Sequence, residues 1–550
     1  MIVEDDNNVI CGPEPYEPIP EGSLGKFLFE NLLSSPDTND AMVDAYTGET
    51  ISYKTILEET CNLAEALRRY GNGSGSIHAI CSENNVHYFV PVFASLYIGA
   101  TVVPINHAYT RAELNHSLEL TAPSIVFCSP SVKDKFLEYQ GNFIKKIIII
   151  NSKMSFPGTE TLKQFVSNQM QGFPVLPYRF QPFNDCDQSQ QVAFIMSSSG
   201  TTGLPKGVMI SHRPILVRIA QSRDPRTVNR SLGNTVLGLM PFYHGYGLNL
   251  GITSIVNREK LVVLKRFEPE SYLKAIQDYR IENLMVAPPL AVFMAKTPLL
   301  SKYDLSSVKS VLCGAAPLNK EIEDILKKRL NITSCTQGYG LTEINLAVTL
   351  VNPNEIGNPG TVGKVVSYMK LKVRDPETGR SLGPHQVGEI CVKGPMLMKG
   401  YYKNEEATRH IFTSDGWLKT GDLGYYDTDR FFYIVDRLKE LIKYKGYQVA
   451  PAELEALLIN HPKVLDVGVV GLPDILAGEL PLAFIVKKPG ENLTEKELQD
   501  FVANSLSPQK WLRGGVIFVS EIPKNPSGKI LRRELRKRLG DYQIKQKSKL

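Results

Sequence analysis

The stretch from Ser197 to Gly207 combines small hydroxyl side chains, glycines and a single lysine, Lys206. Glycine lets a backbone approach a ligand closely and adopt positive φ, while backbone N–H groups, hydroxyls and an ammonium group all donate hydrogen bonds to phosphate oxygens. The segment therefore predicts a loop that holds a polyphosphate. The residues expected to contact it are Ser197, Ser198, Ser199, Gly200, Thr201, Thr202, Gly203 and Lys206.

The frame of this loop differs from that of a Walker A motif, because Lys206 precedes the last glycine, Gly207. A P-loop ATPase is therefore disfavoured. A flexible polar linker of the same composition is the alternative interpretation. Apolar strand candidates on both sides, at 192–196 and 208–212, favour a loop held between buried strands.

The elements that must position this loop alternate between strand and helix patterns. Short apolar runs such as 124–128 and 310–312 are separated by stretches with helical spacing, such as 320–330. This order predicts an α/β fold with layered, largely parallel sheets. From about Lys370 turns separate successive strands, and beyond Arg437 helices and strands mix. The predicted domains are a large N-terminal α/β domain at 1–436, with a β-rich subdomain at about 360–436, and a small α+β domain at 437–550.

Length and composition fit a multidomain globular enzyme. The chain has 550 residues, of which 43% are hydrophobic and 22% charged. A net charge of +5 is too small to indicate nucleic acid as a partner. The eight cysteines form no CxxC pair, so we expect buried reduced thiols and neither a disulfide framework nor a zinc site.

The sequence contains neither a signal peptide nor a segment that favours a membrane span. The acidic N-terminus lacks the apolar core of a secretory signal peptide. The longest uncharged run, Tyr88 to Asn106, is interrupted by Pro91 and Gly99. It therefore predicts a buried helix followed by a strand rather than a membrane span.

Six segments, in this order along the chain, resemble the motifs of the adenylate-forming enzymes, the superfamily of acyl-CoA synthetases and beetle luciferases. They are 198–206, 314–318, 337–343, 416–422, 436–446 and 524–529. The resemblance extends from about residue 20 to the last residue. It implies that a carboxylic acid and ATP react at the α-phosphorus of ATP, where lysines and Mg²⁺ offset negative charge.

The resemblance also implies a role for individual residues. Lys206 and its loop would hold the β- and γ-phosphates, Thr342 would contact the α-phosphate, and Glu343 would ligate Mg²⁺. Asp422 would accept both ribose hydroxyls, with Arg437 touching the ribose. The other implied nucleotide contacts are Gly314, Ala315, Ala316, Gln337, Gly338, Tyr339 and Gly340, with Tyr339 against the adenine ring. Taken singly, Glu343 also fits a helix N-terminal acid and Asp422 a turn residue.

Two lysines of the small domain would serve two half-reactions. In this superfamily the small domain is mobile and rotates about a hinge, here Asp436 to Lys439. Lys529 would reach the carboxylate and the α-phosphate during adenylation. Lys443, on the opposite face, would enter the site for transfer of the acyl group to CoA, the co-substrate. A further charge on a solvated helix is the alternative interpretation of Lys529.

Within the superfamily the chain resembles beetle luciferases and their non-luminous insect paralogues, the luciferase-like fatty acyl-CoA synthetases. Leu346 stands where luciferases have a small hydroxyl residue facing the luciferin heterocycle, and Tyr246 replaces a phenylalanine. A leucine packs against an alkyl chain but cannot hydrogen-bond a heterocycle nitrogen. We therefore favour a medium- or long-chain fatty acyl-CoA synthetase. A luciferase and a catalytically inactive, binding-only member stay as alternatives.

The acid would lie against a small set of side chains. These predicted substrate-binding residues are Arg218, His244, Tyr246, Leu346 and Ala347, with His244 also near the reacting carboxylate. A satisfied core histidine is the alternative for His244, and a surface arginine is the alternative for Arg218.

The chain ends in Ser548, Lys549 and Leu550. This tripeptide at a free C-terminus is an import signal for peroxisomes. We therefore expect a peroxisomal location and binding to the peroxisomal import receptor.

Overall fold

The computed structural model describes residues 8–34, 39–198, 205–226, 235–316, 318, 320–352, 355, 357–445, 447–474, 476–525 and 528–547. Side chains are described for all of these except residue 448 and residues 540–547.

Strands and helices alternate through most of the described chain. The strands, β1 to β27 in chain order, are Ile10–Cys11, Asp40–Asp44, Thr50–Ser52, Ile77–Cys81, Thr101–Ile105, Ile125–Cys128, Lys146–Ile149, Glu160–Thr161, Val192–Ser198, Lys206–Ser211, Thr235–Gly238, Lys260–Val263, Asn283–Val286, Ser310–Cys313, Ser334–Leu341, Leu346–Leu350, Lys364–Val365, Lys370–Arg374, Gly388–Lys393, Gly400–Tyr401, Leu418–Tyr426, Phe432–Arg437, Ile442–Tyr444, Tyr447–Val449, Val464–Asp474, Gly478–Lys487 and Gly515–Phe518. The α-helices, α1 to α14, are Leu24–Leu33, Tyr53–Arg69, Phe89–Tyr97, Arg111–Thr121, Leu162–Met170, His212–Ser222, Gly245–Val256, Pro269–Asp278, Pro288–Lys296, Lys320–Leu330, Glu405–Ile411, Pro451–Leu458, Glu495–Ser505 and Arg532–Lys547.

The largest sheet has eight strands in the order β20-β10-β9-β5-β4-β6-β7-β8. Neighbours from β9 to β8 are parallel, and β10 runs antiparallel to β9. Successive residues of β4, such as Ala79 and Ile80, belong to hydrophobic clusters on opposite faces. Both faces are therefore buried, as parallel sheets require. The predicted helix within the uncharged run is α3, which is buried along its whole length.

Two further sheets complete the layered part of the N-terminal region. One has the order β11-β12-β2-β3, and the other has the order β13-β14-β15-β16-β17. In the second sheet β13, β14 and β15 are parallel, while β16 returns antiparallel to β15. The carboxyl ends of parallel strands meet at one edge, and ligands bind there in open α/β sheets. The segments after β14 and at the end of β15 are therefore brought together.

From Lys370 the strands are antiparallel, in the five-stranded order β1-β18-β19-β21-β22. Strand β1, from the N-terminal end of the chain, pairs with β18 and was not predicted. Strand β22 runs to Arg437 without a break, across the boundary placed between residues 436 and 437. That boundary stays a prediction.

The C-terminal region has its own sheet, in the order β24-β23-β26-β25, with β27 parallel to β26. Val469 and Val470 of β25 point to opposite faces, as alternate strand residues do. One face packs against helices α12 and α13, and the other packs against α14. This is the α/β architecture with a large and a small domain that the sequence predicts.

Some sequence-based details are wrong. The spacing of Ile530, Leu531, Leu535 and Leu539 predicts one helix, but Ile530 and Leu531 precede α14, and the backbone N–H of Leu531 donates to the oxygen of Pro523 at 2.8 Å. Of the eight free cysteines, Cys11 is exposed and Cys186 is half-buried, whereas the other six are buried as expected. None of the described helices is long and apolar enough to cross a membrane.

Candidate active site

A cavity of about 710 Å³ lies where the N-terminal sheets meet the start of the C-terminal region. Many of the predicted residues line it, and they come from distant parts of the chain. These are Ser198, Lys206, Arg218, His244, Tyr246, Gly314, Ala315, Gly338, Tyr339, Gly340, Thr342, Glu343, Leu346, Ala347, Arg437 and Lys529. The predicted residues that the structure describes away from the lining are Ser197, Ala316, Gln337, Asp422 and Lys443.

The predicted phosphate loop joins two paired strands. The last residue of β9, Ser198, is opposite Lys206, the first residue of β10. The hydroxyl of Tyr109 donates to the Oγ of Ser197 at 2.9 Å, which ties the end of β9 to the segment before α4. The predicted contacts Ser199, Gly200, Thr201, Thr202 and Gly203 lie outside the described residues. The described stem therefore matches the expected loop between buried strands.

Tyr401 connects the lysine of this stem to Glu343. The Nζ of Lys206 lies 4.7 Å from the centre of the Tyr401 ring, a cation–π distance. The hydroxyl of Tyr401 donates to the Oε1 of Glu343 at 3.0 Å. Burial, and then the Glu343 carboxylate, raise the pKa of Tyr401, so the hydroxyl stays protonated. No local sequence pattern identifies Tyr401, because a tyrosine in a two-residue strand has no characteristic spacing.

The carboxylate of Glu343 suits a magnesium ion that is shared with phosphates. The described residues contain no cluster of three or more histidine, cysteine or carboxylate side chains that could hold a metal by themselves. Mg²⁺ in nucleotide sites uses one or two carboxylates together with substrate phosphates and water. Glu343, oriented by Tyr401 beside Lys206, fits that kind of site and does not fit an all-protein metal cage.

Gln337 holds the turn that begins at Gly314 and does not line the cavity. Its Oε1 accepts from the backbone N–H of Leu318 at 2.7 Å, and its Nε2 donates to the oxygen of Leu318 at 3.0 Å. The same Nε2 donates to the Oε1 of Glu323 at 2.6 Å, and burial raises the pKa of Glu323. With its amide bonded in this way, Gln337 holds Leu318, at the far end of the Gly314 turn, and its predicted contact with the nucleotide stays a prediction.

Asp422 lies just behind the cavity wall. Its Oδ2 accepts from the hydroxyl of Tyr339 at 2.7 Å, and its Oδ1 pairs with the Nε of Arg437 at 3.0 Å. Asp422 is 5% exposed, so both of its oxygens are fixed by these neighbours. The structure therefore brings the three residues predicted around the ribose and adenine into one hydrogen-bonded group.

The backbone that connects β15 to β16 is strained at the turn where it reaches the cavity. Asn345 has φ 52° and Leu346 has φ 112°, a region that residues with a large side chain rarely adopt. An added Cβ on Gly340 would lie 1.4 Å from the oxygen of Leu346, so only glycine fits opposite this turn. The turn places both Leu346 and Ala347 on the lining.

Apolar side chains from several elements form part of the cavity wall, called here the apolar wall. Its side chains include Ile215, Leu248, Leu250, Leu312, Leu346 and Leu350. Arg218, on α6, also lines the cavity and is 8% exposed, so the interpretation of a surface arginine is wrong. His244 caps α7 by accepting from the backbone N–H of Tyr246 at 3.4 Å, and burial lowers its pKa. His244 is therefore neutral at pH 7 and faces the cavity.

Of the two predicted catalytic lysines, only Lys529 reaches the cavity. Burial first, and then the nearby Arg437, lower the pKa of Lys529 to about 8. Lys443 is exposed on β23, and its backbone N–H donates to the Oε2 of Glu479 at 2.8 Å. The observed arrangement of the two regions therefore presents one lysine and leaves the other outside.

A layered α/β domain that shares one cavity with a lysine from a small C-terminal domain is the architecture of an adenylate-forming enzyme. The family comparisons agree, since residues 29–402 match the model for the AMP-binding enzyme and residues 453–529 match its C-terminal domain. The chain belongs to this AMP-binding enzyme family, in the group of luciferases and 4-coumarate–CoA ligases.

Its relatives match it in sequence over nearly the whole chain. A luciferin 4-monooxygenase of Nipponoluciola cruciata is 45% identical over 97% of this chain and 98% of its own length. A probable 4-coumarate–CoA ligase 1 of Dictyostelium discoideum is 37% identical over 94% of this chain and 95% of its own length.

Solved structures of related enzymes superpose on this chain over nearly its full length. A natural red-emitting luciferase from Phrixothrix hirtus, 44% identical, superposes with a TM-score of 0.74 over 97% of this chain and 99% of its own. ATP-bound MatB from Rhodopseudomonas palustris, 26% identical, gives 0.84 over 94% of this chain and 99% of its own, whereas MatB without ATP gives 0.74. The chain therefore has the fold of an ATP-binding adenylate-forming enzyme.

Proposed function

We propose that this protein is an ATP-dependent fatty acyl-CoA synthetase that activates a medium- or long-chain carboxylic acid. In the first half-reaction a carboxylate oxygen attacks the α-phosphorus of ATP, a C–O–P linkage forms, and pyrophosphate leaves. In the second, the thiolate of CoA attacks the acyl carbon, the thioester forms, and AMP leaves. The observation that supports the acyl assignment is the set of apolar side chains on the cavity lining, among them Leu346.

The first half-reaction uses residues that face the same cavity. Lys206 and Lys529 bring positive charge to the phosphates and the attacking carboxylate, and Glu343 would hold Mg²⁺ together with the phosphates. Neutral His244 also lines the cavity, where it would lie near the carboxylate without adding a charge. The higher TM-score to ATP-bound MatB than to MatB without ATP supports an arrangement suited to adenylation, with Lys529 inside.

The second half-reaction requires Lys443, which is outside the cavity in this arrangement. We propose that the region after Arg437 rotates between the two steps and exchanges Lys529 for Lys443. Lys529→Ala is expected to abolish carboxylate-dependent ATP–pyrophosphate exchange. Lys443→Ala is expected to spare that exchange and to slow thioester formation from preformed acyl-adenylate. Full rates of both half-reactions in both variants would refute the assignment.

A luciferase is the second candidate, because luciferin 4-monooxygenases are 45% identical to this chain at full length. A binding-only protein is a weaker candidate, since Lys206, Glu343, Asp422, Lys443 and Lys529 are all present. One assay separates the three: purified protein with Mg-ATP and lauric acid, with and without CoA, beside Mg-ATP and D-luciferin in air under a photometer. Thioester without light supports the proposal. Bright light that depends on luciferin supports a luciferase, and absence of AMP with every acid supports a binding-only protein.

Leu346 gives a direct test of acyl recognition. Leu346→Ser removes apolar contact with an alkyl chain, so we expect kcat/KM for lauric acid to fall about tenfold or more. Leu176→Ser is a matched control, because Leu176 is 44% exposed and is not on the cavity lining. An unchanged kcat/KM in Leu346→Ser would remove the main support for an alkyl substrate.

We also propose import into peroxisomes through Ser548, Lys549 and Leu550, which lie outside the described residues. A fluorescent protein fused before Met1 leaves the tripeptide at the end of the chain. Peroxisomal fluorescence that is lost on deletion of the tripeptide would support this location. Diffuse fluorescence of the full chain would contradict it.

A further inference from the structure

Hydrogen bonds between Asn525 and Lys529 hold the turn that carries Lys529. The backbone N–H of Asn525 donates to the oxygen of Lys529 at 2.9 Å, and the Oδ1 of Asn525 accepts from the backbone N–H of Lys529 at 2.8 Å. Gly528 has φ 82°, and an added Cβ would lie 2.3 Å from the ring of Pro289 in the N-terminal region. Lys529 is therefore held in a tight turn that is in contact with the N-terminal region.

Both ends of this turn are also attached to one strand, β25. Before the turn, the Nζ of Lys524 pairs with the carboxylate of Asp466 at 2.7 Å. After the turn, Arg532 follows Lys529 by three positions, and its Nε donates to the oxygen of Val469 at 3.3 Å. Strand β25 is at the edge of its sheet, so the outward backbone groups of Val469 are available for these contacts.

Glu455 of α12 completes the second attachment. Its Oε1 accepts from the backbone N–H of Val469 at 2.8 Å, and its Oε2 accepts from the Nη2 of Arg532 at 2.6 Å. The side chains of Arg532 and Glu455 are only 12% and 13% exposed. Removal of one partner from a buried pair leaves an uncompensated charge, so the contact is costly to break.

The same helix is linked to the predicted hinge. The Oδ2 of Asp436 accepts from the backbone N–H of Ala452, in the first turn of α12, at 3.0 Å. A continuous series of contacts therefore runs from the hinge at Asp436 through α12 and Glu455 to Arg532 and the turn of Lys529.

We infer that Glu455 and Arg532 are positioning residues that hold Lys529 in the cavity for adenylation. This inference rests on the proposed two-step function, because it assigns the pair to one half-reaction only. Displacement of a catalytic group by about 1 Å can cost on the order of 100-fold in rate. Lys443 lies on β23, where its backbone N–H bonds to Glu479 and not to Glu455 or Arg532, so we expect the thioester step to depend less on the pair.

The first test measures the pKa of the Lys529 amine in the absence of substrate, as a report of its surroundings. The Lys529 amine is labelled with an amine-reactive reagent across a range of pH, and labelling is followed by peptide mass spectrometry. In the wild type the midpoint is expected near the lowered pKa of about 8. In Glu455→Gln and in Arg532→Lys, the midpoint is expected to rise towards the ordinary lysine range of about 10.4, because the amine is no longer held in its buried position. An unchanged midpoint in both folded variants would overturn the inference.

The second test separates the half-reactions. In Glu455→Gln, kcat for ATP–pyrophosphate exchange is expected to fall about tenfold or more, while conversion of preformed acyl-adenylate to thioester changes less than about twofold. An equal loss in both half-reactions would indicate a purely structural role and overturn the inference. Absence of exchange in the wild type with every acid would instead refute the proposed function. The labelling test alone would then decide whether Glu455 and Arg532 position Lys529.

Glu453→Gln is the matched control. Glu453 is on the same helix and pairs with Lys510 at 2.5 Å, with no contact to the turn of Lys529. Its variant is expected to keep the labelling midpoint and both half-reaction rates. Urea unfolding of all variants identifies any that fail to fold, and Arg532→Lys, which keeps the positive charge, provides a second variant if Glu455→Gln is unstable.

Discussion

The hydroxyl of Tyr339 donates a 2.7 Å hydrogen bond to the Oδ2 of Asp422, across the junction of two different sheets. Tyr339 is at the end of β15 and Asp422 is in β21. Burial, and then the Asp422 carboxylate, raise the pKa of Tyr339, so the donor proton is retained. The pair fixes the part of the cavity wall where we predict that the ribose binds.

Tyr339→Phe removes the hydroxyl and keeps the ring. A hydrogen bond to a charged group contributes about 1.5–3 kcal/mol, so we expect KM for ATP to rise about tenfold or more, with KM for the carboxylic acid nearly unchanged. Steady-state kinetics with each substrate varied in turn provide the measurement. Tyr433→Phe is the control, because its hydroxyl donates to the Oδ2 of Asp427 at 2.9 Å outside the cavity lining. Equal KM values for ATP in both variants would contradict the role.

The lowered pKa of Lys529, about 8, predicts the pH dependence of adenylation. Below this pH the side chain is a cation that stabilises phosphate charge, and above it the side chain is a neutral amine. We therefore expect kcat/KM for ATP–pyrophosphate exchange to fall as pH rises through about 8 in the free enzyme. In Lys529→Arg the guanidinium stays charged, so the slower reaction should lack this alkaline decrease. The same alkaline decrease in both proteins would assign the titration to another group.

Tyr401→Phe tests the orientation of the proposed magnesium ligand. The change removes the hydrogen bond to Glu343 and leaves the ring beside Lys206. Loss of such a partner of a metal ligand typically costs 10- to 100-fold in affinity, so half-maximal exchange should require about tenfold more Mg²⁺. A titration with Mg²⁺ at fixed ATP measures this. Tyr402→Phe, at the adjacent position, should titrate like the wild type, and an unchanged midpoint in Tyr401→Phe would refute the role.

Gly340→Ala tests the strained turn at Leu346. An added Cβ would lie 1.4 Å from a backbone oxygen, so the strand pair must separate, and we expect a loss of about 3 kcal/mol in the free energy of unfolding. Gly245→Ala is the control, since an added Cβ there meets nothing within 4 Å. Urea unfolding of the two variants gives the comparison. Equal stability would show that the turn relaxes without cost.

Much of this fold follows from local sequence patterns. The alternation of apolar runs and helical spacing gives β6, β14 and α10 close to their observed bounds, because burial on both faces of a parallel sheet leaves short apolar runs. Ile530 and Leu531 show the limit of local spacing patterns. Their spacing fits a helix, but the backbone N–H of Leu531 donates a hydrogen bond to the oxygen of Pro523. Helical spacing does not reveal this contact.

The sequence by itself determined the order of the motifs, the family that they resemble and many of the residues that line the cavity. Glycines, hydroxyls and lysines at fixed spacing are chemically specific, which makes such motifs recognisable. Only the tertiary structure decided the parts played by Tyr401, by Gln337 on the Gly314 turn, and by Glu455 with Arg532. Each acts through a contact between residues far apart in the chain. Such contacts depend on how sheets and helices pack, and they have no signature in the local pattern of residues.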